Sequence, residues 1–370
     1  MTQPRYTALV GPLPSTVPFV GPEAQERARG RSFRARIGAN ESVFGPSPKA
    51  IAAMTAAAAQ SWMYGDPENF DLKAALAAEL GVRPENIAVA EGIDSLFGYT
   101  VRLFTEPADT VVTSHGAYPT FNFHVAGYGG RLVTVPYVRD QEHPPSLLDA
   151  AATHKPKLIY FANPDNPMGS WWPAGDMQAL IDAVPADAVL VLDEAYSEFA
   201  PAGTLPPLDV SRPNVLRYRT FSKAYGMAGA RIAYVIGEAS VIKSFDKIRN
   251  HFSVNRIAQA GALAALADKA YLADVVAKVS AARDRIAAIG RDNGLAPLAS
   301  ATNFVTMDCG RDGAYARRIV GELIARDVFV RMPGVAPLDR CIRVSAGTEH
   351  DLEILAVVLP KALAAAQSST

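Results

Sequence analysis

Between residues 70 and 237 the chain alternates two hydrophobic periods. Short apolar runs bounded by loops stand between longer stretches with helical spacing. The runs at 87–90, 110–113, 131–136, 157–162, 188–192, 215–219 and 231–236 read as strands. Those at 157–162 and 188–192 have the continuous apolar character of buried parallel strands. Helical spacing covers 71–80, closed by Gly81, then 94–104 and a segment before 131–136. Strands that alternate with helices predict a mainly parallel sheet covered on both faces.

After Gly237 the pattern changes. A long Ala-rich stretch at 256–293 predicts one helix, with Gly294 as its C-cap. Strands follow at 303–308, 328–331 and 341–345, with helices at 314–326 and from Glu349 onward. The expected organisation is an extended Pro-, Gly- and Arg-rich arm at 1–36, a large domain at 37–250 and a smaller α+β domain at 251–370. The segment 37–60 can pack with the smaller domain.

Composition narrows the function. Lys and Arg total 36 against 37 Asp and Glu, so no net positive field favours nucleic acid. Two cysteines, Cys309 and Cys341, are too few for a disulfide framework or a zinc cluster. No apolar run reaches the length of a membrane span, and the N-terminus lacks a secretory pattern. A cytoplasmic protein is expected.

The segment Thr220-Phe221-Ser222-Lys223-Ala224-Tyr225-Gly226 carries the most chemistry. A lysine among small and hydroxylated residues, with Arg231 eight positions on, suits an amine that forms an imine beside a bound phosphate. Asp193 ends an apolar strand pattern, where open α/β sheets bind ligands. A carboxylate there needs a partner, and a pyridinium nitrogen would serve; a cap on the next segment is the plainer alternative. Asn166 lies in Asn163-Pro164-Asp165-Asn166-Pro167, a rigid turn after a strand. Gly92, Ile93 and Asp94 join a strand to a helix, a geometry that binds anions. Tyr118 could stack on a planar ring and Tyr64 could donate to a phosphate; both could equally be core or surface aromatics. Arg343 interrupts an apolar strand pattern and so calls for an anionic partner, structural or substrate.

Taken in order, these motifs resemble the fold-type I pyridoxal-phosphate aminotransferases, and most nearly the histidinol-phosphate aminotransferase family. Asn40-Glu41-Ser42-Val43-Phe44-Gly45-Pro46-Ser47-Pro48 is similar to that family's "NENPxGPSP" segment. The likeness runs from about residue 37 to 360. It implies a three-layer α/β/α large domain with a mixed sheet and pyridoxal 5'-phosphate as cofactor. Lys223 would hold the cofactor covalently and shuttle a proton. Asp193 would pair with the pyridine nitrogen, while Tyr196 and Asn166 would bond the ring oxygen. Thr220, Ser222, Arg231 and the turn of Gly92, Ile93 and Asp94 would bind the phosphate, and Tyr118 would stack on the ring. Tyr64 would reach the neighbouring subunit's phosphate site, which implies a homodimer with shared active sites. Arg343 would bind the substrate carboxylate, and Arg331, Asn40 and Asn166 are the further substrate candidates. The partners implied are a small-molecule amino donor and a 2-oxo acid acceptor such as 2-oxoglutarate.

The chain departs from the family at Ile93 and Ser95, at "HGAYPTF" around Tyr118, and at "NESVFG" after Asn40. The last two border the substrate side. Two other readings stay open at this point. A pyridoxal-phosphate decarboxylase or lyase, such as a threonine-phosphate decarboxylase, shares these motifs. A non-catalytic regulator on the same fold is the alternative from another class.

Overall fold

The strands, in chain order, are β1 (Ala35–Arg36), β2 (Ile87–Ala90), β3 (Thr110–Ser114), β4 (Arg131–Val135), β5 (Leu158–Ala162) and β6 (Val189–Asp193). They continue with β7 (Val215–Thr220), β8 (Ala233–Ile236), β9 (Ala296–Pro297), β10 (Phe304–Asp308), β11 (Val328–Phe329) and β12 (Cys341–Ser345). The helices are α1 (Pro22–Arg29), α2 (Pro48–Ala58), α3 (Phe70–Leu80), α4 (Ile93–Phe104), α5 (Pro119–Gly127) and α6 (Pro144–His154). The remaining helices are α7 (Ala174–Ala183), α8 (Ala239–Ser244), α9 (Arg256–Ala267), α10 (Lys269–Asp292), α11 (Gly313–Ala325) and α12 (Glu349–Ser368). The structure is a computed structural model that describes residues 5–15 and 19–368. Residues 1–4 and 16–18 of the expected arm, and 369–370 of the expected small domain, lie outside the described residues.

Among the described residues the large sheet has seven strands in the order β2-β8-β7-β6-β5-β3-β4. It is parallel except at β8, which runs antiparallel to β2 and to β7. Every residue of β5 and β6 is buried, because helices cover both faces. Apolar clusters lie on the two faces: Tyr160, Val191 and Tyr218 belong to one, Phe161, Leu190 and Leu192 to the other. A smaller antiparallel sheet, β12-β10-β9, is backed by α10 and α11, and α12 packs on those two helices. The chain is therefore α/β with a large mixed sheet and a second, smaller sheet.

Three local expectations change. The arm contains α1, which ends at Gly30 in the left-handed region. The Ala-rich stretch is two helices rather than one, because backbone angles leave the helical range at Asp268 (φ −92, ψ 66). Alanine content alone does not mark such a break; the Asp268 carboxylate is held by Lys49, far away in sequence. The strand expected at 328–331 shortens to β11, which pairs in parallel with β1. Beyond it Arg331 forms an isolated antiparallel bridge with Arg343. Gly294 does follow α10, at φ +77.

Candidate functional site

The parallel strands point their carboxyl ends to one side of the sheet, and the chemistry collects there. Asn166 follows β5, Asp193 ends β6, and Ser222 and Lys223 follow β7. Because β2 is antiparallel to β8, and β8 to β7, the turn after β2 reaches the same side. These groups line one cavity of about 770 Å³ together with Asn40, Ile93, Asp94, Tyr118, Tyr196, Thr220, Arg231, Arg331 and Arg343. Gly92 stands directly behind Arg231. Tyr64 lies elsewhere: it is 75% exposed and stacks on Phe252 at 4.5 Å.

Lys223 is partly buried, and its Nζ donates to the Asn40 carbonyl at 3.2 Å. Burial, aided by the nearby Arg343 charge, lowers its amine to about 8. A substantial neutral fraction at neutral pH is what a lysine nucleophile requires.

The Asp193 carboxylate accepts from the Tyr160 hydroxyl at 2.7 Å and from the Ala195 N–H at 2.9 Å. Burial raises it to about 6, and these two bonds oppose the rise. Both donors are neutral, so a cation on the cavity side would complete the site. Tyr160 is fully buried and stacks on Phe121 at 4.5 Å. Sequence reasoning missed it, because it sits inside an apolar strand and only the fold brings its hydroxyl to Asp193.

At one end of the cavity two loops meet whose groups suit an anion. Gly92, at φ +97, lets the Arg231 guanidinium pass; a Cβ there would meet Arg231 Cζ at 2.9 Å. Gly92's own N–H bonds the Ala90 carbonyl at 2.8 Å. Its part is therefore clearance, and the anion donors begin with the first-turn amides of α4. Thr220 Oγ1 accepts the Ser222 N–H at 3.0 Å and donates to Ser222 Oγ at 2.9 Å. That leaves the Ser222 proton for the cavity. Tyr118 donates to Asp94 Oδ1 at 2.9 Å, and Asp94 Oδ2 pairs with Arg231 at 3.4 Å. Gly92→Ala is expected to weaken binding of a phosphate-bearing ligand by about tenfold or more, since the added Cβ would push the Arg231 guanidinium aside and a hydrogen bond to a charged group is worth about 1.5–3 kcal/mol. Calorimetric titration of the variant against the unmodified protein measures this.

At the opposite end Arg331 and Arg343 lie side by side, with the Arg343 N–H on the Arg331 carbonyl at 2.6 Å. Arg343 Nη1 donates to Asn166 Oδ1, while the buried Nε has no partner among the described residues. Burial lowers Arg343 to about 10, and the Arg331 charge adds to the effect. Two adjacent arginines without a carboxylate in contact form a receptor for an anion. Arg331 also donates to the Val20 carbonyl at 2.8 Å and stands over the Phe19 ring at 5.0 Å. Phe19 in turn stacks on Tyr118 at 6.0 Å. The arm thus forms part of the cavity rim, which no motif in its sequence signalled.

Behind the Asn166 turn, burial raises both Glu142 and Asp165. Ser114 donates to Glu142 at 2.6 Å and Tyr137 to Asp165 at 2.9 Å. Asn40 has its amide engaged: Ser345 donates to Oδ1 at 2.9 Å, and Nδ2 donates to the Tyr196 hydroxyl at 3.0 Å.

The chain is similar to known proteins. The family model described as "Aminotransferase class I and II" matches residues 36–359. A histidinol-phosphate aminotransferase from Moorella thermoacetica is 30% identical over 98% of this chain and 94% of its own length. One from Anaeromyxobacter is 34% identical over 96% of this chain and 98% of its own. The crystal structure of histidinol-phosphate aminotransferase from Sinorhizobium meliloti in complex with pyridoxal-5'-phosphate superposes with a TM-score of 0.96. It is 54% identical and covers 98% of this chain and 99% of that one.

Proposed function

Because the chain belongs to the class I and II aminotransferases, we propose that its cavity transfers an amino group from histidinol phosphate to a 2-oxo acid, with pyridoxal phosphate as cofactor. The observation that carries this reading is one cavity lined by Lys223, Asp193 and the bridged pair Arg331–Arg343. The residues fit the cofactor on their own chemistry. Asp193 is a buried carboxylate with only neutral donors, Ser222 has a free proton, and Gly92 clears a path for Arg231.

When bound, pyridoxal phosphate supplies a reactive aldehyde and an electron-withdrawing ring. Lys223 would hold that group through Nζ, and its free amine would serve as the base that moves the substrate α-proton. Its lowered basicity keeps part of the amine unprotonated for this task. Asp193, positioned by Tyr160, keeps the ring nitrogen protonated. Ser222, oriented by Thr220, would hold the phosphate together with Arg231 and the amides of Ile93 and Asp94. Tyr118, fixed by Asp94, covers the ring face, and Tyr196 and Asn166 hold the ring oxygen. Arg343 and Arg331 bind the anionic end of the donor and then of the 2-oxo acid, which gives ping-pong kinetics.

In this reading the protein is a homodimer. Trp62, Tyr64, Phe70 and Phe252 are exposed aromatics, and Tyr64 would enter the neighbouring subunit's phosphate site. Exposed aromatic residues of this kind are what an interface core uses. Two unpaired buried cysteines agree with a cytoplasmic setting.

A panel of donors tests the substrate assignment: histidinol phosphate, Phe and Tyr are offered to the holoenzyme with 2-oxoglutarate. Histidinol phosphate is expected to give the highest kcat/KM and, when 2-oxoglutarate is withheld, to convert the bound cofactor to its amine form. Release of CO2 with the cofactor left unchanged would instead establish a decarboxylase.

A further inference from the structure

Asn40 joins the parts of the site that the chemistry must coordinate. It is buried and left-handed (φ 56), a backbone state that Asn tolerates better than most residues. Its N–H donates to Ser345 Oγ at 2.9 Å, and the Ser345 hydroxyl returns its proton to Asn40 Oδ1 at 2.9 Å. This exchange orients the amide. The reversed amide would aim its NH2 at an oxygen that already accepts the Asn40 N–H. It would also deprive the buried Ser345 proton of the acceptor it has here, at about 1–3 kcal/mol.

With Oδ1 on Ser345, Nδ2 faces the Tyr196 hydroxyl at 3.0 Å. An amide nitrogen only donates, so the phenol oxygen accepts, and its single proton must point elsewhere. Tyr196 is buried and lines the cavity beside Asp193 and Lys223. The Asn40 carbonyl meanwhile accepts from Lys223 Nζ at 3.2 Å and from Asn303 Nδ2 at 3.0 Å. Ser345 lies two residues beyond Arg343 on β12, and Asn303 immediately precedes β10. One residue thus fastens the substrate-arginine strand to both Tyr196 and Lys223.

We infer that Asn40 is a positioning residue whose amide aims the Tyr196 proton into the cavity, toward the ring oxygen of the bound cofactor, and whose carbonyl holds the Lys223 amine when it is free. The inference rests on the pyridoxal-phosphate reading above. It reassigns Asn40, whose side chain is spent on Ser345 and Tyr196, from substrate binding to orientation of the catalytic groups.

The physical consequence is specific. A proton donated to the ring oxygen withdraws its negative charge and weakens its hold on the proton of the lysine linkage. Asn40→Asp is nearly isosteric and suits the left-handed backbone, but it replaces the donor with an acceptor. Tyr196 then donates to the introduced carboxylate and turns its proton away from the cavity.

The test uses the holoenzyme of full length and follows the absorbance of the lysine-linked cofactor across a pH titration, together with the dissociation constant for pyridoxal phosphate. N40D is expected to raise the titration midpoint by about one pH unit or more and to weaken cofactor binding. The same substitution in a Y196F background is expected to give no further shift, because the phenol it acts through is gone. A midpoint unchanged in N40D would overturn the inference, as would an equal shift with and without the Tyr196 hydroxyl, which marks plain charge. If N40D does not fold, Asn40→Gly keeps the left-handed backbone and the carbonyl, and the same Y196F cycle decides. A wild-type protein that takes up no pyridoxal phosphate overturns the functional reading itself, a result distinct from any behaviour of the variants.

Discussion

Lys223→Ala is expected to lower turnover of amino donor and 2-oxo acid by at least about 10⁴-fold, the upper range for loss of a positioned acid-base group. Both tasks assigned to Lys223, holding the cofactor and moving the α-proton, use the same Nζ, and no other lysine lines the cavity among the described residues. The fold should survive, since the side chain makes one hydrogen bond through Nζ, to the Asn40 carbonyl. Circular dichroism and steady-state assay of the same preparation measure both points. A variant retaining more than about 1% of wild-type turnover would remove Lys223 from its role. The pH dependence has a definite sign. Burial lowers the Lys223 amine to about 8, so the reactive neutral form gains as pH rises through that value. Where capture of this free amine limits the rate, activity should climb on that limb.

Arg217→Met is expected to destabilise the protein by about 3–5 kcal/mol, the cost of stripping one partner from a buried ion pair. Arg217 and Glu194 are 3% and 1% exposed in their side chains, so water cannot replace what is lost. Arg217 Nε donates to Glu194 Oε1 at 2.8 Å, and Nη1 donates to the carbonyls of Pro206 (3.1 Å) and Pro207 (3.0 Å). Arg219 reaches Glu194 Oε2 at 2.9 Å but leaves Oε1 to Arg217. Urea denaturation of the apoprotein reads the loss as a lowered midpoint. Replacing Arg217 and Glu194 together by Met should recover part of it, because Glu194 Oε1 is then no longer desolvated without its donor, although Arg219 loses its carboxylate partner. Glu194 adjoins Asp193 in the chain, so the single variant should also bind cofactor more weakly. Full stability in Arg217→Met would show that the pair is solvated in practice.

The core of this site was legible because its signals are local. Lys223, Asp193 and Asn166 each stand just past, or at the end of, an apolar run that reads as a strand. A parallel sheet delivers all such positions to one side without further information. The helix limits were legible where a cap announces them, as Gly81 does after α3. They were not legible at Asp268, where alanine supports a helix on both sides and a distant lysine holds the break.

Other assignments depended on partners far apart in the chain. Tyr160 looks like any aromatic of a buried strand until Asp193 is placed 2.7 Å from its hydroxyl. Asn40 could be read as a free polar group; its contacts with Tyr196, Lys223, Asn303 and Ser345 span 156 to 305 residues. Phe19 reaches the cavity only because the arm crosses Arg331 and Tyr118.

By itself, the amino-acid sequence determined the fold class and, through its resemblance to known enzymes, the family; it also marked Lys223 and Asp193 as the candidates for the chemistry. Periodicity and strand-end motifs are short-range properties that survive any change in how the elements pack. The tertiary structure alone decided that Tyr160 bonds Asp193, that Arg331 is bridged to Arg343, and that Gly92 lies against Arg231. Those outcomes are set by hydrogen-bond direction and van der Waals contact between elements, and a linear sequence contains no distances across which to judge them.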